Sequence, residues 1–335
     1  MLILNEFARG EWELGSEAVL ADSITTRNCH YENGFSHRGI GCSVKEKCAG
    51  RKAGSSSRLT AAASGVYSPA MSQIDSHPPG SFCWIELGTT DQPAAKSFYG
   101  SLFGWTPSDM PMGPDDFYTI FQLEGRDAAA GYTLRPDQRA QGVPPNWMLY
   151  IMVASADAAA KRAKELGGTV IVDAFDVFDA GRMAVLQDPT GAFFTVWEPK
   201  KSQGIGIGHV DGTLCWADLS TPDPQRAGKF YSDLFGWQML ADDEDPEHDY
   251  LHIKNGEHFI GGIPPARDRN ANAPPHWLAY FLTTNCDAST DKAKQLGGQV
   301  YVPPMTVENV GRMAVVADPQ GAVFALFQHI PHAAK

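Results

Sequence analysis

No run of about 18 consecutive apolar residues occurs in this 335-residue chain, so no segment is long and oily enough to cross a bilayer as a helix. Basic charge is scarce: 27 lysines and arginines stand against 39 aspartates and glutamates, a formal net charge of −12. A protein that neutralises phosphates needs a basic face, so neither DNA nor RNA is an expected partner, and no membrane is either. The opening residues MLILNEFARGEWELG lack the basic start and extended apolar core of a secretory signal, and the chain reads as cytoplasmic. Cysteine is sparse. Three of the six fall before residue 50, and Cys83, Cys215 and Cys286 sit in apolar strand-like or helix-start contexts. That pattern suits buried thiols in a reducing compartment rather than a disulfide frame. No G-x-S-x-G elbow, P-loop or dinucleotide fingerprint is found, and GIGIG at 204–208 is not followed by a helix, which makes it a linker.

What is present divides into three regions. Residues 1–76 are rich in Gly, Ser and Cys, basic between Arg27 and Arg58, and then pass into the low-complexity run AGSSSRLTAAASG. Such a segment buries too little apolar surface to offset its ordering entropy, so a disordered extension is expected. Because Met71 opens MSQIDSHPPGSFCWIEL, which leads straight into the patterned region, a start-site artefact upstream of it is part of the same expectation. Cys29, His30, His37, Cys42 and Cys48 lack the paired spacings that zinc modules use.

The rest is a duplication. CWIEL at 83–87 returns as CWADL at 215–219, FYGSLFGW at 98–105 as FYSDLFGW at 230–237, and PPNW at 144–147 as PPHW at 274–277. KELGG at 164–168 returns as KQLGG at 294–298, GRMAV at 181–185 as GRMAV at 311–315, and DPTGA at 188–192 as DPQGA at 318–322. The offset is 132 residues in the first half (215 − 83) and 130 in the second (274 − 144). Matched landmarks in one order define two modules, 77–200 and 209–330, joined by a linker at 201–208 within the Pro- and Gly-containing segment 199–209.

Within a module, CWIEL alternates in the strand period, placing Trp84 and Glu86 on one face and Cys83, Ile85 and Leu87 on the other. Asp91 and Pro93 then suit the start of a helix, and Asp223 and Pro224 repeat the arrangement. Ala95, Phe98, Tyr99 and Leu102 make one apolar helical face, and Gly104 and Gly236 suit the left-handed position past the helix end. Strands are predicted at 116–123 and 126–133, hinged at Glu124-Gly125 (Asn255-Gly256 in the second copy). A buried strand at 147–153, a helix over 157–166 and two strands at 182–187 and 192–197 complete the unit. One such unit looks small and one-sided, so its sheet is expected to need the second copy as partner.

F-Y-x-x-L-F-G-W after the first helix and G-R-M-A-V-x-x-D-P-x-G-A before the last strand, each occurring twice, resemble the vicinal oxygen chelate superfamily over residues 80–328. Glyoxalases, bleomycin-resistance proteins and ring-cleaving dioxygenases make up that family. The resemblance implies an α+β fold of two tandem βαβββ-type modules with paired curved mixed sheets, each sheet enclosing a cleft. It also implies a divalent metal held at three positions. Here those positions carry Trp84 and Trp216, Met148 and Leu278, and Thr195 and Ala325. None of the six suits a hard divalent cation.

Candidate site residues follow from that cleft. Trp84 and Trp216 are expected either to form an aromatic floor or to fill the vacated metal cavity. Glu86 and Asp218 share their face and could act as general base or ligand anchor. Pairing with Arg182 and Arg312 is favoured for them, since buried charges are usually paired. His276 replaces Asn146 and, with His252 and His258, offers the alternative of a relocated metal site. Trp147 and Trp277 are expected in the core, at the module interface or the cleft rim, and the acidic run 242–245 is expected to be a solvated loop. The expected function is binding of a small organic molecule in an aromatic-lined cleft, with no cofactor, by a monomer with paired modules or a homodimer. Two alternatives stand beside it: an enzyme, either a divergent metal-dependent lyase or dioxygenase or a metal-free acid–base catalyst using Glu86 or Asp218, and a structural protein whose clefts are filled by their own side chains.

Overall fold

The computed structural model of the protein describes residues 73–114, 116–241, 249–308 and 310–330. Expectations for residues 1–72 and for the acidic run 242–245 lie outside the described residues.

Each module begins as the sequence predicts. Strand β1 (Phe82–Thr89) leads into α1 (Gln92–Phe103), whose first turn is capped by the Asp91 side chain accepting from the Ala94 amide and whose end is closed by Gly104 at φ 75°. In the second module β9 (Leu214–Ser220) and α4 (Pro224–Phe235) repeat this with Asp223 and Gly236. After α1 come β2 (Thr106–Gly113), β3 (Asp116–Leu123), β4 (Arg126–Thr133) and the short α2 (Pro136–Ala140). Then follow β5 (Asn146–Met152), α3 (Ala156–Glu165), β6 (Thr169–Val177), β7 (Gly181–Gln187) and β8 (Phe193–Pro199). The second copy continues with β10 (Gln238–Ala241), β11 (Leu251–Asn255), β12 (His258–Ile263) and β13 (His276–Leu282). It ends with α5 (Cys286–Gln295), β14 (Gln299–Val307), β15 (Gly311–Ala317) and β16 (Val323–His329).

Two strands per module escape the sequence reading, β2 and β6 in the first and β10 and β14 in the second. All four lie at sheet edges, where neither face need be apolar; every residue of β2 is exposed. With them counted, one module is two βαβββ units, β1–β4 and β5–β8. They join through an antiparallel β1–β5 pairing into an eight-stranded sheet of order β2-β3-β4-β1-β5-β8-β7-β6. The second sheet has the matching order β10-β11-β12-β9-β13-β16-β15-β14. Each copy closes its own eight strands by pairing, and the second copy supplies the expected packing partner: one apolar core runs through both modules.

The copies meet through their helices and the backs of their sheets, where α1 packs on α5 and α3 on α4. Alternation sorts each strand: on β8, Phe194 packs against Phe230, Tyr231 and Phe235 of the second module, while Trp197 lies beside Tyr150 on the opposite face. A reciprocal set of hydrogen bonds locks the interface. The Tyr99 hydroxyl donates to Asp318 (3.0 Å) and receives the Trp147 indole N–H (3.1 Å). Tyr231 does the same with Asp188 (3.0 Å) and Trp277 (3.0 Å). Trp105 donates to the Gly212 carbonyl (3.0 Å) and Trp237 to that of Gly80 (2.8 Å). Trp147 and Trp277 thus belong to the module interface.

Candidate functional site

The face of each sheet turned away from the helices carries the even-numbered residues of β1 and β9, and the register brings their neighbours into rows. Trp84 lies opposite Tyr150, and Tyr150 beside Thr195, so these three side chains form one row across β1, β5 and β8. The next row runs Ile120, Ala130, Glu86, Met148. In module 2 the rows are Trp216, Tyr280, Ala325 and His252, Gly262, Asp218, Leu278. The residue aligned with Trp84 and Thr195 is therefore Tyr150, two positions from the Met148 that the sequence register placed there; Tyr280 likewise takes the place of Leu278.

A carboxyl group ringed by phenols occupies the centre of each face. Tyr150 donates to Glu86 Oε2 (2.9 Å), the Tyr118 hydroxyl adds to the stabilisation of that carboxylate, and the Trp84 indole donates to the Tyr118 hydroxyl (3.1 Å). Tyr132, held by the Gln138 amide (3.2 Å), lies close enough to feel the Glu86 charge. In module 2 the ring is tighter. Asp218 Oδ1 accepts from Tyr250 (2.6 Å) and from Trp216 (2.9 Å), and Oδ2 accepts from Tyr280 (2.7 Å). Burial pushes both carboxyl groups above the ordinary carboxylate range, and the phenol donors pull them partway back. The same burial, with the adjacent acid, drives Tyr118, Tyr150, Tyr250 and Tyr280 upward, so these phenols stay protonated as donors. Glu86 and Asp218 nevertheless remain only half-buried on this face.

The expected Glu86–Arg182 and Asp218–Arg312 pairs do not form. Arg182 grips Asp157 at the start of α3 with both Nε (2.7 Å) and Nη2 (2.9 Å) and also bonds Asp176 and the Ala174 carbonyl. Arg312 does the same with Asp287 (2.5 and 2.7 Å) and Thr306. These pairs tie helix to edge strand, and Glu86 and Asp218 take uncharged donors instead. His276 turns its Nδ1 to the Pro274 carbonyl (2.9 Å), repeating the bond that Asn146 makes to the Pro144 carbonyl (2.8 Å). The three histidines of module 2 do not converge: His258 ends a hairpin opposite Asn255, His252 sits opposite Gly262 and His276 opposite Ser220. Among the described residues no cluster of three or more His, Cys, Asp and Glu side chains is placed to hold a metal ion. The phenols Tyr118, Tyr150, Tyr250 and Tyr280 escaped the sequence reading. Their signal was there, since Tyr118/Tyr250 and Tyr150/Tyr280 repeat at the module offsets.

Against known proteins, the family model of the Glyoxalase/Bleomycin resistance protein/Dioxygenase superfamily matches residues 81–196 and again 206–326. The chain belongs to this superfamily. It is 38% identical over 251 residues to the Mycobacterium tuberculosis protein named "Putative glyoxylase CFP32", covering 74% of this chain and 94% of that one. To the anthracycline biosynthesis protein DauV of Streptomyces sp. (strain C5) it is 33% identical over 265 residues, covering 75% and 94%. Solved structures share the fold at low identity. The Mn(II)-bound glyoxalase of Novosphingobium aromaticivorans matches with TM-score 0.54 and 16% identity, over 76% of this chain and 83% of that one. The 2,3-dioxygenase LapB of Pseudomonas sp. KL28 matches at 0.52 and 14%, over 76% and 95%. Among the described residues no helix is long and apolar enough to cross a membrane.

Proposed function

We propose that this superfamily member binds a small, flat organic molecule on its cleft face without the divalent metal of its metal-dependent relatives. The row that would hold the metal carries Trp84, Tyr150 and Thr195 in one module and Trp216, Tyr280 and Ala325 in the other. An indole N–H is a donor only, a phenol held protonated by burial is a poor ligand, and alanine is none; this donor set does not fit a hard cation. The carrying observation is the carboxyl–phenol–indole cluster in both modules, which offers aromatic faces and a polar centre where that metal would sit. Kinship with a protein of anthracycline biosynthesis supports an aromatic ligand.

A second reading is favoured by the acids themselves. A carboxyl group raised by burial and facing a ligand site has the character of a general acid or base, so a metal-free acid–base reaction at Glu86 or Asp218 fits the same geometry. Elemental analysis of protein purified without chelator or metal resin, followed by thermal unfolding against a panel of flat aromatic compounds, tests the proposal. Substoichiometric metal together with a raised Tm is the expected result. One transition metal per chain, or a panel in which nothing raises Tm, would sink it.

A further inference from the structure

The two cleft faces differ where it matters for access. In module 1 the linker folds back on the sheet: Ser202 accepts the Trp197 indole N–H (3.1 Å) and the Ile205 amide donates to the Cys83 carbonyl (2.7 Å). Gly204 approaches so closely that an added Cβ would lie 2.2 Å from that carbonyl oxygen. Trp84, Tyr150 and Trp197 are all buried and merge with the main core. In module 2 the counterparts of Trp84 and Trp197, Trp216 and Phe327, are half-buried. With Leu278, Met305 and Met313 they pack on a small apolar cluster separate from the main core.

One group on this face, which feels the Asp218 charge, has no hydrogen-bond partner among the described residues. Asp218 already accepts from three donors, and Trp216, Tyr250 and Tyr280 are those donors. His252 is half-buried, in the row of Asp218, with the side-chain-less Gly262 between them. Aromatic rings hold it edge-on, Tyr250 at 4.9 Å, Phe259 at 5.7 Å and Trp216 at 6.4 Å between centroids. No hydrogen bond from its ring nitrogens is present among the described residues. Module 1 has Ile120 in its place.

We infer that the cleft of module 2 takes the ligand while that of module 1 does not, and that His252 hydrogen-bonds a hydroxyl or carbonyl oxygen of a flat, uncharged aromatic molecule there. The inference rests on the small-molecule reading above. Flatness follows from the lining, where aromatic rings share one apolar cluster with the thioethers of Met305 and Met313, which pack adaptably on an aromatic face. Charge is limited by Asp218, which disfavours an anion beside it.

The test uses 2-naphthol, flat and uncharged at neutral pH with one hydroxyl, and naphthalene as its hydroxyl-free control, titrated calorimetrically into the full chain. Wild type is expected to bind one equivalent of 2-naphthol and to prefer it to naphthalene. His252→Ile installs module 1's own residue, so the fold should survive. It should lower the 2-naphthol affinity about tenfold, the loss of roughly one hydrogen bond, and leave naphthalene binding unchanged. Two equivalents per chain, an unchanged 2-naphthol affinity in His252→Ile, or an equal loss for both compounds would overturn the assignment. If 2-naphthol fails while other flat compounds raise Tm, the inference falls and the small-molecule reading stands; if nothing raises Tm, both fall.

Discussion

The interface between the modules and the two outer sheet faces come from the same duplicated sequence, yet one has kept its symmetry and the others have kept it only in part. At the interface, Trp147–Tyr99–Asp318 and Trp277–Tyr231–Asp188 are the same triad twice, with bond lengths agreeing within 0.1 Å. On the outer faces Glu86 has become Asp218, Ala130 Gly262, Ile120 His252, Thr195 Ala325 and Trp197 Phe327. A dry, reciprocal interface leaves each half dependent on the other's geometry. A face open to solvent tolerates divergence, and what diverges there determines what binds.

If the interface is symmetric in energy as in geometry, equivalent substitutions should cost the same. Asp188 accepts from the amides of Thr190, Gly191 and Ala192, from the Thr190 hydroxyl and from the opposite Tyr231, while Asp318 accepts from the amides of Gln320 and Ala322 and from the opposite Tyr99. Replacing either by alanine strands buried amides and a phenol at once. Asp188→Ala and Asp318→Ala should each lower unfolding free energy by about 3 kcal/mol in urea melts. Unequal losses, differing by more than about 1 kcal/mol, would break the symmetry argument.

The second contrast concerns how the shorter acid of module 2 keeps its phenol. A Cβ built on Gly262 would lie 1.8 Å from the Tyr250 hydroxyl, so glycine there is what admits Tyr250 to its 2.6 Å bond with Asp218. Module 1 carries Ala130 at the equivalent place, opposite the longer Glu86. Gly262→Ala should cost about 2 kcal/mol through overpacking and should quench or shift the emission of the neighbouring Trp216. If stability and fluorescence both stay at wild-type values, the exchange of acid length for side-chain room is wrong.

The acids themselves supply a pH signature. Both carboxyls titrate above their unfolded values, so the folded state holds protons that the unfolded chain has released. Their contribution is fully present below the unfolded value and is lost as pH rises through the folded one. Glu86→Gln and Asp218→Asn remove that loss while keeping an acceptor for the tyrosines. Each variant should therefore gain on wild type as pH rises from about 4 to 8, by roughly 1 kcal/mol. An advantage that shrinks over that range would reverse the sign of the burial argument. Surface acids such as Asp157 and Asp287, held low by Arg182 and Arg312, slope the other way and are common to all three proteins.

What the sequence made legible follows from where periodicity and capping act. Asp91, Gly104 and the apolar stripe of α1 are local signals, and the structure places them as read. Edge strands β2 and β6 carry no such signal, because β2 is wholly exposed and β6 buries no residue fully. Trp84 and Glu86 were placed on the right face by alternation alone. Their partners were not, since a buried acid can be satisfied by arginine or by phenols. Spacing does not say that Arg182 is drawn away by Asp157, only 25 residues earlier. Long-range register decided the rest: Tyr150 rather than Met148 stands beside Thr195 because β5 pairs with β8 in that register, which no count along one strand reveals.

His276 marks the limit of the divergence. It differs from Asn146 in chemistry but reaches the same loop carbonyl two residues back, at 2.9 Å against 2.8 Å. Burial lowers its affinity for a proton, and the bond to the Pro274 carbonyl opposes that shift. His276→Asn should then restore the partner module's residue with the bond intact, changing unfolding free energy by less than about 0.5 kcal/mol and leaving metal content and aromatic-ligand affinity as in wild type. The variant sharpens the contrast with His252, whose ring nitrogens make no hydrogen bond among the described residues. A His276→Asn protein that loses bound metal or ligand would move the site from the sheet face to the loop before β13, and with it the view that module 2 diverged on one face only.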